Sequence, residues 1–175
     1  MKKLLLIIVA ALSISAVSAQ EFAVGVRVAS GAQAVGQFRF SNDNYLEARF
    51  GASWINPVIP SFNEDTLAIN ESRVAADFTL LYNWNILEMD WTPRAGRWFF
   101  DAGVGVNVGG KAHYAYAGLA GMARLGFTFN NVPLSLAVDW TPVFGPRFFY
   151  AENYSEAAFH DLGMANLGLT CTFHF

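Results

Sequence analysis

The sequence predicts an all-β chain, an eight-stranded antiparallel up-and-down β-barrel. Three observations predict it. After residue 19, apolar residues alternate with other residues at period two in eight separate stretches. The apolar side of every stretch is free of charge. Only 14% of the 175 residues are charged, against roughly a quarter in an average soluble protein.

The chain begins differently. Lys2 and Lys3 precede an apolar run from Leu4 to Leu12, and Val17-Ser18-Ala19 has the small residues of an export cleavage site. The apolar run is shorter than the about 20 residues that a spanning helix needs. Residues 1–19 are expected to be a cleaved secretory signal peptide, and 20–175 a single barrel domain. The net charge of −3 excludes a basic nucleic-acid binder. Cys171 is the only cysteine, which excludes an intramolecular disulfide and a thiolate metal cluster.

The first strand is expected at 22–28, with Phe22, Val24, Val26 and Val28 opposite Ala23, Gly25 and Arg27. The second, at 36–40, sets Phe38 and Phe40 against Gln37 and Arg39. The third, at 46–54, sets Leu46, Phe50 and Trp54 against Glu47 and Arg49. The fourth, at 73–84, sets Phe78, Leu80, Tyr82 and Trp84 against Arg73, Asp77, Thr79 and Asn83. The fifth, at 98–108, sets Trp98, Phe100, Val104 and Val106 against Asp101 and Asn107. The sixth, at 117–129, sets Leu119, Leu125, Phe127 and Phe129 against Met122 and Arg124. The seventh, at 134–141, sets Leu136, Val138 and Trp140 against Ser135 and Asp139. The eighth, at 165–175, sets Leu167, Leu169, Cys171, Phe173 and Phe175 against Thr170, Thr172 and His174.

Size decides which face points inward. Eight strands enclose just enough room for side chains. The faces holding Phe, Trp and Tyr are too bulky for that lumen, and the faces rich in Gly, Ala, Ser and Thr fit it. A solvated outer face would be rich in lysine, yet Lys111 is the only lysine after the leader. The greasy face is therefore expected to meet lipid, which makes the barrel transmembrane. Short turns at 41–44 and 130–133 suit one end, and long Pro-containing loops at 55–72 and 142–160 suit the other. Further outer loops are expected near 30–35 and 109–116, and strand four is expected to run past 84 through a bulge. Phe22, Phe40, Trp84, Trp98 and Phe129 at one rim and Trp54 and Trp140 at the other form an expected aromatic girdle. The repeated Asp-Trp-Thr-Pro at 90–93 and 139–142 reads as a Trp anchor followed by a strand-stopping Pro.

Nine charges point into the lumen: Arg27, Arg39, Glu47, Arg49, Arg73, Asp77, Asp101, Arg124 and Asp139. Buried charges are costly unless paired. The expectation is a network in which Arg39, Arg49 and Arg124 pair with Glu47, Asp77 and Asp101 and block the barrel.

The leader, the eight amphipathic strands and the ending Thr172-Phe173-His174-Phe175 resemble small outer-membrane β-barrel proteins of Gram-negative bacteria, broadly porin-like. The resemblance covers nearly all of 20–175. It implies the cell outer membrane as location, membrane lipid as surroundings and a monomer. It also implies recognition of Phe173 and Phe175 by the barrel-assembly machinery.

No catalytic, cofactor or metal site is expected. His113, His160 and His174 are scattered and lack metal-ligand spacing. The function expected is structural or surface-interacting, through outer loops whose ligand the sequence does not name. The alternative is a small porin-like channel for ions or solutes; a lipid-acting or proteolytic barrel enzyme is a third class.

Overall fold

Alternation produces strands along nearly the whole chain. The computed structural model describes residues 22–41, 43–54, 74–92, 94–111, 114–151, 154–161 and 165–175, giving backbone alone for Trp54, Lys111, Tyr114, 149–151 and 154–161. Residues 1–19, expected to be a signal peptide, the segment 55–72 and Arg73 lie outside the described residues.

Ten strands are formed: β1 (Phe22–Val28), β2 (Gly31–Arg39), β3 (Asn44–Trp54), β4 (Val74–Met89), β5 (Gly96–Lys111), β6 (Tyr114–Phe129), β7 (Leu134–Trp140), β8 (Val143–Ala151), β9 (Tyr154–Asp161) and β10 (Leu167–His174). Eight of them close an antiparallel barrel. β1 to β7 pair in sequence, β7 pairs β10, and β10 returns to β1. No helix occurs among the described residues.

Three expectations are corrected. Residues 142–160 are not a loop. β8 pairs β6 above β7, and β9 pairs β8, so the hairpin continues the wall beyond the barrel. Pro146 lies within the segment expected to be a Pro-containing loop. The ladder to β6 indeed omits Pro146 and Gly145, between Arg147 and Phe144, because proline brings no N–H. Residues 31–35 belong to β2, since Ala29 and Ser30 suffice for the turn. Similarly, β5 and β6 extend into 109–116, reaching Lys111 and starting again at Tyr114.

The tight turns fall where expected. Ser41 N–H and Phe40 N–H both donate to the Asn44 carbonyl, and Leu134 N–H donates to the Val132 carbonyl at 2.7 Å. Phe175 N–H donates to Phe22 O at 3.0 Å, which puts both ends of the barrel chain at this tight-turn end. β4 runs on to Met89, with a register shift between Asn85 and Leu87 that leaves Ile86 bulged.

The two faces separate as the alternation demands. Val26 is 58% exposed on the outside, Phe50 64% and Leu119 71%, whereas Arg27, Arg49 and Arg124 are each at most 2% exposed inside. Rings pack in a chain around the tight-turn end: Phe173–Phe175–Phe22, Phe40–Tyr82–Trp84, and Trp91–Trp98–Phe127–Phe129. Trp140 is exposed on the outer face of β7, and the side chain of Trp54 lies outside the described residues.

Candidate functional site: the charged lumen

Consecutive inward positions place Tyr45, Glu47 and Arg49 on β3, with Arg124 across the lumen on β6. Arg124 clamps Glu47 in two-pronged fashion, Nη1 on Oε2 at 2.7 Å and Nη2 on Oε1 at 2.8 Å. This planar fork-to-carboxylate geometry is the strong form of a charged hydrogen bond. Arg49 Nε adds a bond to Oε1 at 2.5 Å, and Gln37 Nε2 one to Oε2 at 2.6 Å. Glu47 thus sits fully buried with every lone-pair direction used.

Asp139 is the second anion of this cluster. Arg27 reaches its Oδ1 through Nε at 2.8 Å and Nη2 at 2.7 Å. Thr141 and Thr170 donate hydroxyl hydrogens to its two oxygens at 3.1 and 2.5 Å. Arg49 and Arg124 stand farther off, at 3.7 and 4.0 Å. The backbone makes room for Arg27 at Gly168, where a Cβ would come within 2.7 Å of the guanidinium. At the tight-turn end, the Phe99 ring lies across bare Gly126, again where a Cβ would collide.

The expected network is therefore only partly the one formed. Arg27, Glu47, Arg49, Arg124 and Asp139 come together. Asp101 joins indirectly: the Tyr45 hydroxyl donates to its Oδ2 at 2.6 Å and accepts from Arg124 Nη1 at 3.1 Å. The guanidinium of Arg39 lies 5.5 Å over the Tyr45 ring. Asp77 is held by neutral donors among the described residues. Gln33 Nε2, Asn107 Nδ2 at 2.8 Å and the Tyr116 hydroxyl at 2.6 Å hold its carboxylate. Gln33 in turn accepts from Arg27 Nη1 at 3.2 Å, so an amide dipole stands between the cation and the anion.

Sequence reasoning missed Tyr45, Gln33, Tyr116 and the buried Arg147 of β8. The signal for Tyr45 and Tyr116 was present. Each continues an inward alternation by one step beyond where the strand was expected to start.

Beyond the cluster, toward the end bearing β8 and β9, lies a polar cavity of about 40 Å³ bordered by Arg27, Gln33, Ser53, Asp77, Asn107 and Asn166. That is room for a few waters. Toward the tight turns, Ser135 Oγ lies 2.8 Å from His174 Nε2 and 2.7 Å from Thr128 Oγ1. A serine beside a histidine is the start of a hydrolytic site, but no carboxylate is among the hydrogen-bond partners of His174 among the described residues. Among the described residues, no three His, Cys, Asp or Glu side chains group as metal ligands. Guanidinium groups stay protonated and cannot pass protons on. What the cluster supplies is a fixed electrostatic cross-brace between β1, β3, β6 and β7.

The fold and this interior define a closed eight-stranded antiparallel β-barrel with an apolar exterior and a charged, hydrogen-bonded interior. No protein-family model matches the chain, and no curated protein shows significant similarity to it.

Proposed function

We propose that the chain is an integral outer-membrane β-barrel whose lumen is shut by the Arg27–Glu47–Arg49–Arg124–Asp139 cluster, and whose role is structural or surface-interacting. One observation carries this reading. The closed wall is inverted relative to a soluble barrel, with Val, Phe and Leu side chains outside and arginines at most 2% exposed within. A continuous apolar exterior of this kind suits a hydrocarbon surrounding, where closure also leaves no unpaired strand edge in the barrel. The leader at 1–19 would supply export, and Phe173 and Phe175 would supply the assembly signal.

A second reading, a small pore for ions or solutes, is favoured by the outer polar cavity and by buried polar atoms without protein partners at Asn83, Asp101 and Ser53. Planar-bilayer recording of the refolded mature protein separates the two. A shut barrel gives no steady conductance, and large reproducible single-channel steps replace it with the pore. Fractionation of expressing cells tests the location. Recovery in soluble periplasm rather than in the outer-membrane pellet after an alkaline wash removes the membrane reading altogether.

A further inference from the structure

The wall is interrupted at Thr141 and Pro142. Between β7 and β8 the ladder to β6 breaks off at Trp140 and resumes at Val143 in unchanged register. Between β10 and β9 the register does change. Leu167 faces Trp140, whereas Asp161 faces Phe144, two residues out of the register that β10 keeps with β7. Pro142 brings no N–H to this place. Among the described residues, two backbone bonds bridge it, Thr141 N–H to Asn166 O and Gly121 N–H to Pro142 O, both at 2.9 Å. A proline without an N–H and a change of register mark a place where a sheet bends readily.

The lumen arginines reach this break from inside. Arg49 Nη1 donates to Thr141 Oγ1 at 3.0 Å, and that hydroxyl donates onward to Asp139. Arg27 Nη2 donates to the carbonyl and to the side-chain oxygen of Asn166 at 3.4 and 3.3 Å. Each strand of the break is therefore held by one guanidinium of the same cluster. The polar cavity borders Asn166 and Val143 on the lumen side, which leaves space for the break to move once a hold is lost.

We infer that Arg27 and Arg49 latch the step at Thr141 and Pro142, where β7 gives way to β8 beside Asn166, so that the set of the β8–β9 hairpin depends on the lumen charge cluster. The inference does not rest on the membrane reading. It makes Thr141 and Asn166 positioning residues for a segment that extends beyond the barrel.

Backbone amide exchange of the full mature chain, refolded in detergent micelles, tests it. Thr141→Val removes one hold while keeping side-chain volume, and Asn166→Ala removes part of the other independently. Heat-dependent gel migration checks that each variant still forms the barrel. In either variant, the β8 and β9 amides should exchange about three- to tenfold faster, the effect of one lost side-chain hydrogen bond. The β1–β10 amides should keep their wild-type rates. Thr141→Ser, which retains the hydroxyl, should restore slow exchange. Ser53→Ala, in the same cavity but outside the latch, should change nothing. Unchanged hairpin rates in both variants overturn the latch, and so does equal acceleration across the β1–β10 amides.

Discussion

Glu47 and Asp77 are both carboxylates buried on the inner wall, and they are held by different means. Glu47 takes three bonds from two guanidinium groups and one from an amide. Among the described residues, Asp77 takes its bonds from amides, a phenol and the Thr79 hydroxyl, and Gln33 stands between it and Arg27. A pair locked charge to charge depends on both partners, since removing either strands the other in a place without solvent. A carboxylate held by neutral donors strands only dipoles. The lumen is thus a stiff ionic middle with a softer polar chamber beyond it.

The largest loss is expected from Glu47→Gln, which leaves Arg49 and Arg124 facing a neutral group. It should destabilise by about 3–5 kcal/mol, read from urea unfolding in lipid vesicles. A loss no greater than that of Asp77→Asn would erase the distinction. Next comes an arginine added to the outer face. Leu125→Arg puts a charge on the exposed apolar side of β6, at a cost of about 2–4 kcal/mol if that side meets hydrocarbon near the midplane. Wild-type stability in bilayers would mean that the outer face is not lipid-facing. Asp77→Asn should cost less than Glu47→Gln, about 1–3 kcal/mol, because the donors that hold it among the described residues are neutral. Smallest is Arg97→Ala. Its contacts to Glu88 at 3.4 Å and Asp90 at 4.0 Å are solvent-exposed, and such pairs contribute about 0–1 kcal/mol. A loss comparable to that of Glu47→Gln would show that burial is not what separates the two ion pairs.

Period two made the facing of each barrel strand legible. Arg27, Glu47, Arg49, Asp77, Asp101, Arg124 and Asp139 all point inward as their parity requires. Partner choice was not legible. Arg27 and Asp139 are 112 residues apart in sequence and meet only because barrel closure sets β1 beside β10 and β10 beside β7. The neutral donors around Asp77 were not legible for a related reason. Parity gives the face of a residue but not its height, and at the height of Asp77 the neighbours are Gln33, Asn107 and Tyr116. The β8–β9 hairpin was hidden by Pro142 and Pro146, whose effect on a ladder is local and does not forbid a strand.

The β1–β10 seam has a consequence for the order of folding. It joins the two ends of the barrel chain, so its loop-closure entropy exceeds that of any hairpin in the wall. The Arg27–Asp139 bond cannot form before the seam shuts, and Arg27 must stay hydrated until then. Closure should accordingly be the slow, late event, with the hairpins β2–β3 and β5–β6 formed ahead of it. The chain already carries half of a reporter. Cys171 lies on the outer face of β10 opposite Val26 of β1. Facing Cα atoms in an antiparallel ladder are about 4.5–5.5 Å apart, within the about 4.4–6.8 Å that a disulfide accepts. In a Val26→Cys chain, the time at which that bond becomes possible would mark the moment the cylinder is complete.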